Sequence, residues 1–157
     1  MGRWHNFYVD NHVHFCTYTA KDWRPLLTEP AIECLYDEWH KNSKRFAVQT
    51  WAYVIMPEHV HMLLWSEQGN NILRFIQRTL GQTSKRLSPA KESFWKERPR
   101  VFPIYSEDIV REKIEYIHAN PVRRGLTETP EAWPQSSYSQ LVLGDNSPAY
   151  QCARIAL

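Results

Sequence analysis

Residues 53–64 read YVIMPEHVHMLL and set two apolar segments on either side of a Pro57-Glu58 break. The first segment, from Phe46 to Met56, is rich in β-branched and aromatic residues, which favour strands. The second, from His59 to Trp65, is apolar again. Because proline cannot donate to a strand ladder, it separates the two segments. This stretch therefore predicts two strands joined by a tight turn.

Strand and helix patterns flank this predicted hairpin on both sides. Residues 11–19 alternate between two faces with the period of a strand, and residues 28–42 carry apolar side chains at helical spacing after a Thr N-cap. Downstream, Asn70 or Asn71 can cap a second amphipathic helix that continues to Leu87. The hairpin is thus expected to lie between two helices along the chain.

The remaining chain adds one irregular segment, one helix and a tail. Residues 94–104 are aromatic and basic, and predict a loop with room for one short strand. Ser106 opens a third helix with acidic residues in its first turn, and Pro121 is expected to end it near Asn120. Residues 126–157 form a Pro- and Ser-containing C-terminal tail. The element order predicts an α+β fold, a ferredoxin-like or RRM-like antiparallel sheet with helices packed on it.

Length and composition indicate one ordinary globular domain over residues 1–157. Hydrophobic residues make up 43% and charged residues 23%, which excludes a disordered chain or a coiled coil. The formal net charge is only +2, so any nucleic-acid surface must come from locally clustered basic residues.

The cysteines and the hydropathy of the chain indicate its cellular compartment. The three cysteines are an odd number without C-x-x-C spacing, which argues against a disulfide framework and a zinc ribbon. No apolar run reaches the length of a membrane span, and the N-terminus is not a secretory signal. These patterns favour a reducing, cytoplasmic location without membrane contact.

Two H-V-H triplets, at residues 12–14 and 59–61, are candidates for metal chemistry. Side chains two apart on a strand share a face, so each triplet can present two imidazoles to a divalent ion. Their spacing does not choose between them, but His59 and His61 start a strand directly after a turn, which is the better context. The alternative is that either pair simply packs.

The third predicted helix carries a second candidate group. Its core stripe consists of Val110, Ile114, Ile117 and Pro121. Tyr116 and Asn120 lie four residues apart on the flank of that stripe, whereas His118 projects to the other side. A phenol beside an amide oxygen suits a metal-dependent tyrosine nucleophile. The alternative is a packing ring with a hydrated hydroxyl.

The segments YVIMPEHVHMLL at residues 53–64 and YIHANPVRRGL at residues 116–126 resemble the two signatures of the single-tyrosine HUH transposases. With WPQSSY at residues 133–138, the chain is most similar to the REP-associated tyrosine transposases, over roughly residues 7–138. One departure is Glu58, where that family usually has Asn. This carboxylate is expected beside the metal, in its second shell or as a further ligand.

The resemblance implies a bacterial, metal-dependent enzyme that nicks and rejoins single-stranded DNA, with a hairpin as the expected substrate. His59, His61 and Asn120 would bind Mg²⁺ or Mn²⁺, and Tyr116 would displace the 3′ oxygen to form a 5′-phosphotyrosine. The enzyme would act as a monomer or a homodimer. His12, on the first strand, is expected to support the metal ligands or to pack.

DNA binding requires local positive charge and rings for stacking. The predicted contacts lie on the second helix, around Trp95 and after Asn120: Arg74, Arg78, Lys85, Arg86, Lys96, Arg98, Arg100, Arg123 and Arg124. The alternative for each cluster is a solvated helix face.

Two other functions remain open from the residues alone. A ferredoxin-like sheet can bind single-stranded nucleic acid without cutting it, but such a module has no need of paired histidines and Tyr116. A metal-dependent phosphodiesterase would use activated water, with Tyr116 only orienting the substrate.

Overall fold

The computed structural model describes residues 5–88, 90, 92–96 and 98–155 of the 157-residue chain. Four strands form one antiparallel sheet in the order β2-β3-β1-β4. Their bounds are β1 His12–Thr19, β2 Gln49–Ile55, β3 His59–Ser66 and β4 Arg100–Ile104. This is the ferredoxin-like arrangement, so the predicted α+β fold is confirmed.

The helices lie on both faces of the sheet. Their bounds are α1 Glu29–Phe46, α2 Gly69–Leu87, α3 Glu107–Arg123 and α4 Tyr138–Leu143, with single 3₁₀ turns at Lys21–Trp23 and Pro130–Ala132. On β3, Val60 and Met62 join the core beneath α1 and α2, whereas Leu63 joins the core beneath α3. Because side chains alternate along a strand, His59 and His61 face the α3 side with Leu63. Within the described residues, no helix is long and apolar enough to cross a membrane.

Helix α1 is longer than the sequence pattern indicates. It continues one turn beyond Asn42, so β2 begins at Gln49 rather than at Phe46. The polar Asn42 does not mark an end, because its buried side chain donates to Thr79 Oγ1 on α2 at 3.0 Å. Ala47, with a left-handed φ of 50°, terminates the helix instead.

Helix α2 begins at Gly69, so the expected caps Asn70 and Asn71 are wrong. Its first backbone N–H donates to Asp10 Oδ1 at 2.7 Å, which places a carboxylate at the positive end of the helix. The N-terminal segment crosses so closely that a Cβ on Gly69 would lie 2.7 Å from the Val9 nitrogen. The cap is therefore supplied by a residue distant in sequence.

This close crossing predicts opposite effects for two glycine substitutions in α2. Gly69→Ala should lower the free energy of unfolding by about 1–3 kcal/mol, because the methyl group would meet backbone atoms that cannot easily move. Gly81→Ala has open space around its Cβ and should raise the free energy by roughly 0.5–1 kcal/mol. Urea unfolding of both variants measures these free energies. Equal changes in the free energy of unfolding at the two sites would contradict the close approach of the N-terminal segment to Gly69.

Helix α3 continues through Pro121 to Arg123, so the expected end near Asn120 is wrong. Proline deprives the Ile117 carbonyl of its helical donor, but the next turn still forms, with Arg124 N–H donating to the Asn120 carbonyl at 3.0 Å. Gly125, at a φ of +70°, then ends the helix. The added turn brings two arginines onto the same helix as Tyr116.

The tail follows the outer edge of β2. Ser137 N–H donates to the Tyr53 carbonyl at 3.0 Å, and Ala153 N–H donates to the Thr50 carbonyl at 2.9 Å. Tyr150 is buried in the core beneath α1. The tail therefore covers a strand edge that would otherwise expose unpaired backbone groups, and its last part lies on the face opposite the two histidines.

Candidate active site

The first three residues of β3 bring two imidazoles together on the α3 face of the sheet. His59 Nε2 and His61 Nε2 lie 3.1 Å apart, and both side chains are buried. Burial, the neighbouring His59 and the nearby cations of Arg123 and Lys113 lower the pKa of His61 to about 3. Burial also lowers the pKa of His59. Both rings are therefore neutral near pH 7, with nitrogen lone pairs available for a metal.

Each imidazole is held from behind by a hydrogen bond to its Nδ1 atom. His59 Nδ1 donates to Glu58 Oε1 at 2.9 Å, which leaves its Nε2 with a free lone pair. His61 Nδ1 lies 2.7 Å from Thr17 Oγ1 on the neighbouring strand β1. These contacts fix both rings with their Nε2 atoms turned toward each other, as hydrogen bonds to the far nitrogen of metal-binding histidines do.

Glu58 supports His59 rather than facing the paired nitrogens. Its carboxylate is buried and also accepts a hydrogen bond from Arg124 Nη1. Burial alone would raise the pKa of Glu58, but the hydrogen bonds from Arg124 and His59 outweigh it and hold the pKa below its usual value. The ionised oxygen lies at the Nδ1 side of His59, which is the supporting position and not that of a further ligand.

The donor set fits one divalent ion. Two metal–nitrogen bonds of about 2.0–2.1 Å can span the 3.1 Å between the histidine Nε2 atoms. Among the residues that the structure describes, no three His, Cys, Asp or Glu side chains gather as a metal site. A third protein ligand would therefore be a neutral oxygen, and Asn120 is the residue that the sequence predicts for it.

Within one chain, the Tyr116 ring lies beside the His61 member of the histidine pair. The Tyr116 ring lies 5.5 Å from the His61 ring and 6.0 Å from the Phe15 ring, centroid to centroid. The Arg123 guanidinium lies 4.4 Å from the Tyr116 centroid, and Lys113 Nζ lies 5.5 Å from it. The phenol is only half-buried, so a substrate can approach it beside two cations.

Asn120 lies between two residues that both reach the start of β3. Tyr116, Asn120 and Arg124 follow one another at four-residue spacing and so share one face of the helix end. Tyr116 contacts His61 and Arg124 binds Glu58, while Asn120 between them is buried. Asn120 therefore occupies the helix position between the residues that contact His61 and Glu58.

Of the two roles expected for His12, support of the metal ligands is wrong, whereas packing agrees with its edge-on contact with Tyr105, 5.1 Å between ring centroids. His12 pairs with Ser66 at the end of β1 farthest from His59, and its Nδ1 bonds to the Asp10 carbonyl at 2.8 Å. Thr17, not His12, supports the histidine pair from β1. His14 is fully buried and accepts a hydrogen bond from Val9 N–H, so the first H-V-H triplet is structural.

The predicted DNA contacts divide between the two faces of the sheet. Arg74, Arg78 and Lys85 are exposed on α2, on the face opposite the histidines. Arg86 on the same helix is paired with Asp37 at 3.0 Å, which balances its charge. Arg98 and Arg100 are exposed around the start of β4.

On the face with the histidines, the expected cations have different surroundings. Arg123 is exposed over Tyr116, whereas Arg124 is paired with Glu58. Lys96 is exposed beside the buried Trp95. Of these predicted cations, Arg123 is therefore the one that lies beside Tyr116.

Three residues at the site lie outside the sequence motifs and were not predicted. Trp23 stacks on His59 with ring centroids 5.1 Å apart and planes at 19°, although its 3₁₀ turn has no periodic pattern. Thr17 reaches His61 only through strand pairing. Lys113 has the one usable signal, because it precedes Tyr116 by a single helical turn.

His118 joins α3 to the tail and makes stability depend on pH. Its Nε2 lies 2.8 Å from Ser137 Oγ, and burial lowers its pKa to about 4. Since the unfolded chain binds this proton near pH 6.5, the contribution is present above that pH and lost as the pH falls toward 4. Between these values the wild-type free energy of unfolding should fall by about 3 kcal/mol more than that of His118→Asn. Parallel stability–pH curves would contradict this assignment.

Comparisons with known proteins identify the family of the chain. The family model described as "Transposase IS200 like" matches residues 8–120. A REP-associated tyrosine transposase of Escherichia coli (strain K12) is 22% identical over 138 residues, which cover 88% of this chain and 83% of that protein. A solved REP-associated tyrosine transposase, described as bound to a REP hairpin, is 20% identical with a TM-score of 0.81, covering 99% of this chain and 94% of that one. The fold and the family match together show that the chain belongs to the IS200-like transposase family and is a transposase.

Proposed function

We propose that the chain cuts and rejoins single-stranded DNA through a covalent link to Tyr116, with Mg²⁺ or Mn²⁺ as cofactor. The observation that supports this most directly is the contact between Tyr116 and His61 within one chain, 5.5 Å between ring centroids. This contact allows the nucleophile Tyr116 and the neutral imidazole pair to act on the same phosphodiester. One chain supplies the whole set, so the chemistry is expected from a monomer as well as from a homodimer.

The residues have distinct roles in the proposed reaction. The phenolic oxygen of Tyr116 forms a bond to phosphorus as the bond to the 3′ oxygen breaks, which leaves a 5′-phosphotyrosine and a free 3′-hydroxyl. Arg123 and Lys113, at the Tyr116 ring, attract the phosphate and help to orient it. A divalent ion held by His59, His61 and Asn120 would draw charge from a phosphate oxygen.

The proposed reaction is reversible without a nucleotide cofactor. The phosphotyrosine link retains a phosphodiester bond, so a 3′-hydroxyl can attack it and release Tyr116. The half-buried position of the ring allows such an exchange of strand ends. This property distinguishes strand transfer from hydrolysis by activated water, which consumes the bond.

The proposed substrate is a DNA hairpin with single-stranded flanks. A solved structural neighbour is described as bound to a REP hairpin, and its fold matches this chain throughout. The exposed cations on α2, Arg74, Arg78 and Lys85, offer a backbone-binding surface apart from the chemistry. A folded strand that reaches both faces of the sheet therefore suits the charge distribution.

A labelled hairpin tests this function. Because the 5′ phosphate of the downstream fragment becomes attached, a 3′-end label should migrate with the protein in SDS after incubation with Mn²⁺. Cleavage without an adduct would point to activated water, and binding without cleavage under Mg²⁺ or Mn²⁺ would point to a binding module.

A further inference from the structure

A cavity of about 510 Å³ opens beside the histidine pair. Thr19, in its lining, is paired with His59 across the β1–β3 ladder. Trp23, also in the lining, stacks on the His59 ring. The cavity therefore adjoins the candidate active site.

The walls of this cavity are held in place by backbone pairing. Lys21 N–H donates to the Phe94 carbonyl at 3.0 Å, and Lys96 N–H donates to the Thr19 carbonyl at 2.8 Å. The buried Trp95 donates from Nε1 to Thr83 Oγ1 at 2.8 Å. These contacts join two segments that are distant in sequence, so the cavity is formed before any ligand arrives.

Trp23 is presented in an unusual way. Asp22 and Trp23 have φ values of 58° and 55°, a left-handed conformation that bulky side chains rarely adopt. Its side chain is 55% exposed, and of the tryptophans that the structure describes it is the only exposed one. Strained backbone that holds an exposed ring beside reactive groups is typical of functional sites.

The remaining lining has the chemistry of a nucleotide site. Lys21 and Lys96 are exposed at the cavity and can attract phosphate oxygens. Asp22 adds an acceptor for the amino group of a base. His59 stacks on one face of the Trp23 indole and the Arg124 guanidinium lies 5.9 Å from its centroid, but more than half of the side chain is exposed and offers a surface on which any base can stack. A ring, two cations and one acceptor together match a single nucleotide better than a peptide or a lipid.

We propose that this cavity binds one unpaired nucleobase of the DNA strand, stacked on Trp23, with its phosphate near Lys21 and Lys96. The inference rests on the proposed function and adds a binding position to it. Through its contact with His59, Trp23 then sets the distance between that nucleotide and the phosphodiester at the histidines. The pocket thus acts as a positioning site for the strand.

Paired changes in protein and DNA test this proposal. A REP hairpin with single-stranded flanks is made as a series, each member with one unpaired nucleotide replaced by an abasic residue, and binding is measured in EDTA so that no strand is cut. For the wild-type protein, one abasic position should weaken binding about 5- to 150-fold, the range for one base on one aromatic ring. In Trp23→Ala, the abasic residue at that position should not weaken binding any further. In Trp23→Phe, it should still cause most of the loss of affinity seen with the wild-type protein.

Two additional variants separate stacking from a structural role. Trp23→Leu keeps an apolar contact for His59 but has no aromatic face, so it should behave as Trp23→Ala does. Tyr105→Ala removes an exposed ring at the other end of β1, and should keep the wild-type penalty. An abasic penalty that is absent from the wild type, or unchanged in Trp23→Leu, would overturn the proposal. The Tyr116 adduct would still form in that case, which distinguishes this failure from failure of the proposed function.

Discussion

Tyr116→Phe is expected to abolish the covalent protein–DNA adduct and to lower strand cleavage on the order of 10⁴-fold or more, as the loss of a nucleophile does in other enzymes. Phenylalanine keeps the ring contacts with His61, Phe15 and Arg123, so the site should remain folded. Only the attacking oxygen is lost. Single-turnover cleavage of the hairpin in Mn²⁺, read on a denaturing gel, measures the effect.

A matched tyrosine provides the control. Tyr138 is also half-buried and packs edge-on against His118, at 5.4 Å between centroids, but it lies in the tail at the start of α4. Tyr138→Phe should leave adduct formation unchanged. Cleavage that survives Tyr116→Phe at the wild-type rate would replace the tyrosine nucleophile with activated water.

His61→Ala is expected to lower metal-dependent cleavage by more than about 100-fold, since loss of a supporting residue alone weakens metal sites 10- to 100-fold. His61 supplies one of the two facing Nε2 atoms, and its pKa of about 3 keeps that nitrogen unprotonated in the wild type. Binding of the hairpin in EDTA should change little, because the substitution leaves every cation that attracts DNA in place. Initial rates across a Mn²⁺ titration separate these two effects.

The other H-V-H triplet supplies the control for this variant. His12→Ala removes a histidine that pairs with Ser66, far along β1 from His61. It should show the wild-type Mn²⁺ dependence. A His61→Ala protein with unchanged rates and unchanged dependence on Mn²⁺ would contradict the metal site.

Most of the fold follows from local patterns. The apolar runs around Pro57, the alternation of residues 11–19 and the helical spacing give three strands and the main helices, and the irregular segment 94–104 leaves room for the fourth strand. Strand alternation places His59 and His61 on one face. The start of α2 does not follow, because its cap comes from Asp10 across the fold. The last turn of α3 beyond Pro121 does not follow either, since proline usually marks an end.

The candidate site is predicted less evenly. The paired histidines and Tyr116 are visible in the motifs, and the structure brings these three side chains together. The residues around them depend on tertiary contacts: Thr17 reaches His61 across the sheet, and Trp23 reaches His59 from a left-handed turn. Sequence spacing carries no information on either contact.

The most direct test of the proposed covalent chemistry is mass spectrometry of the trapped adduct. After nuclease treatment and trypsin digestion, the peptide IEYIHANPVR at residues 114–123 should carry a deoxynucleotide through its 5′ phosphate, on Tyr116. A nucleotide on any other residue, or cleaved DNA with a free 5′ phosphate and no modified peptide, would contradict a tyrosine-linked intermediate.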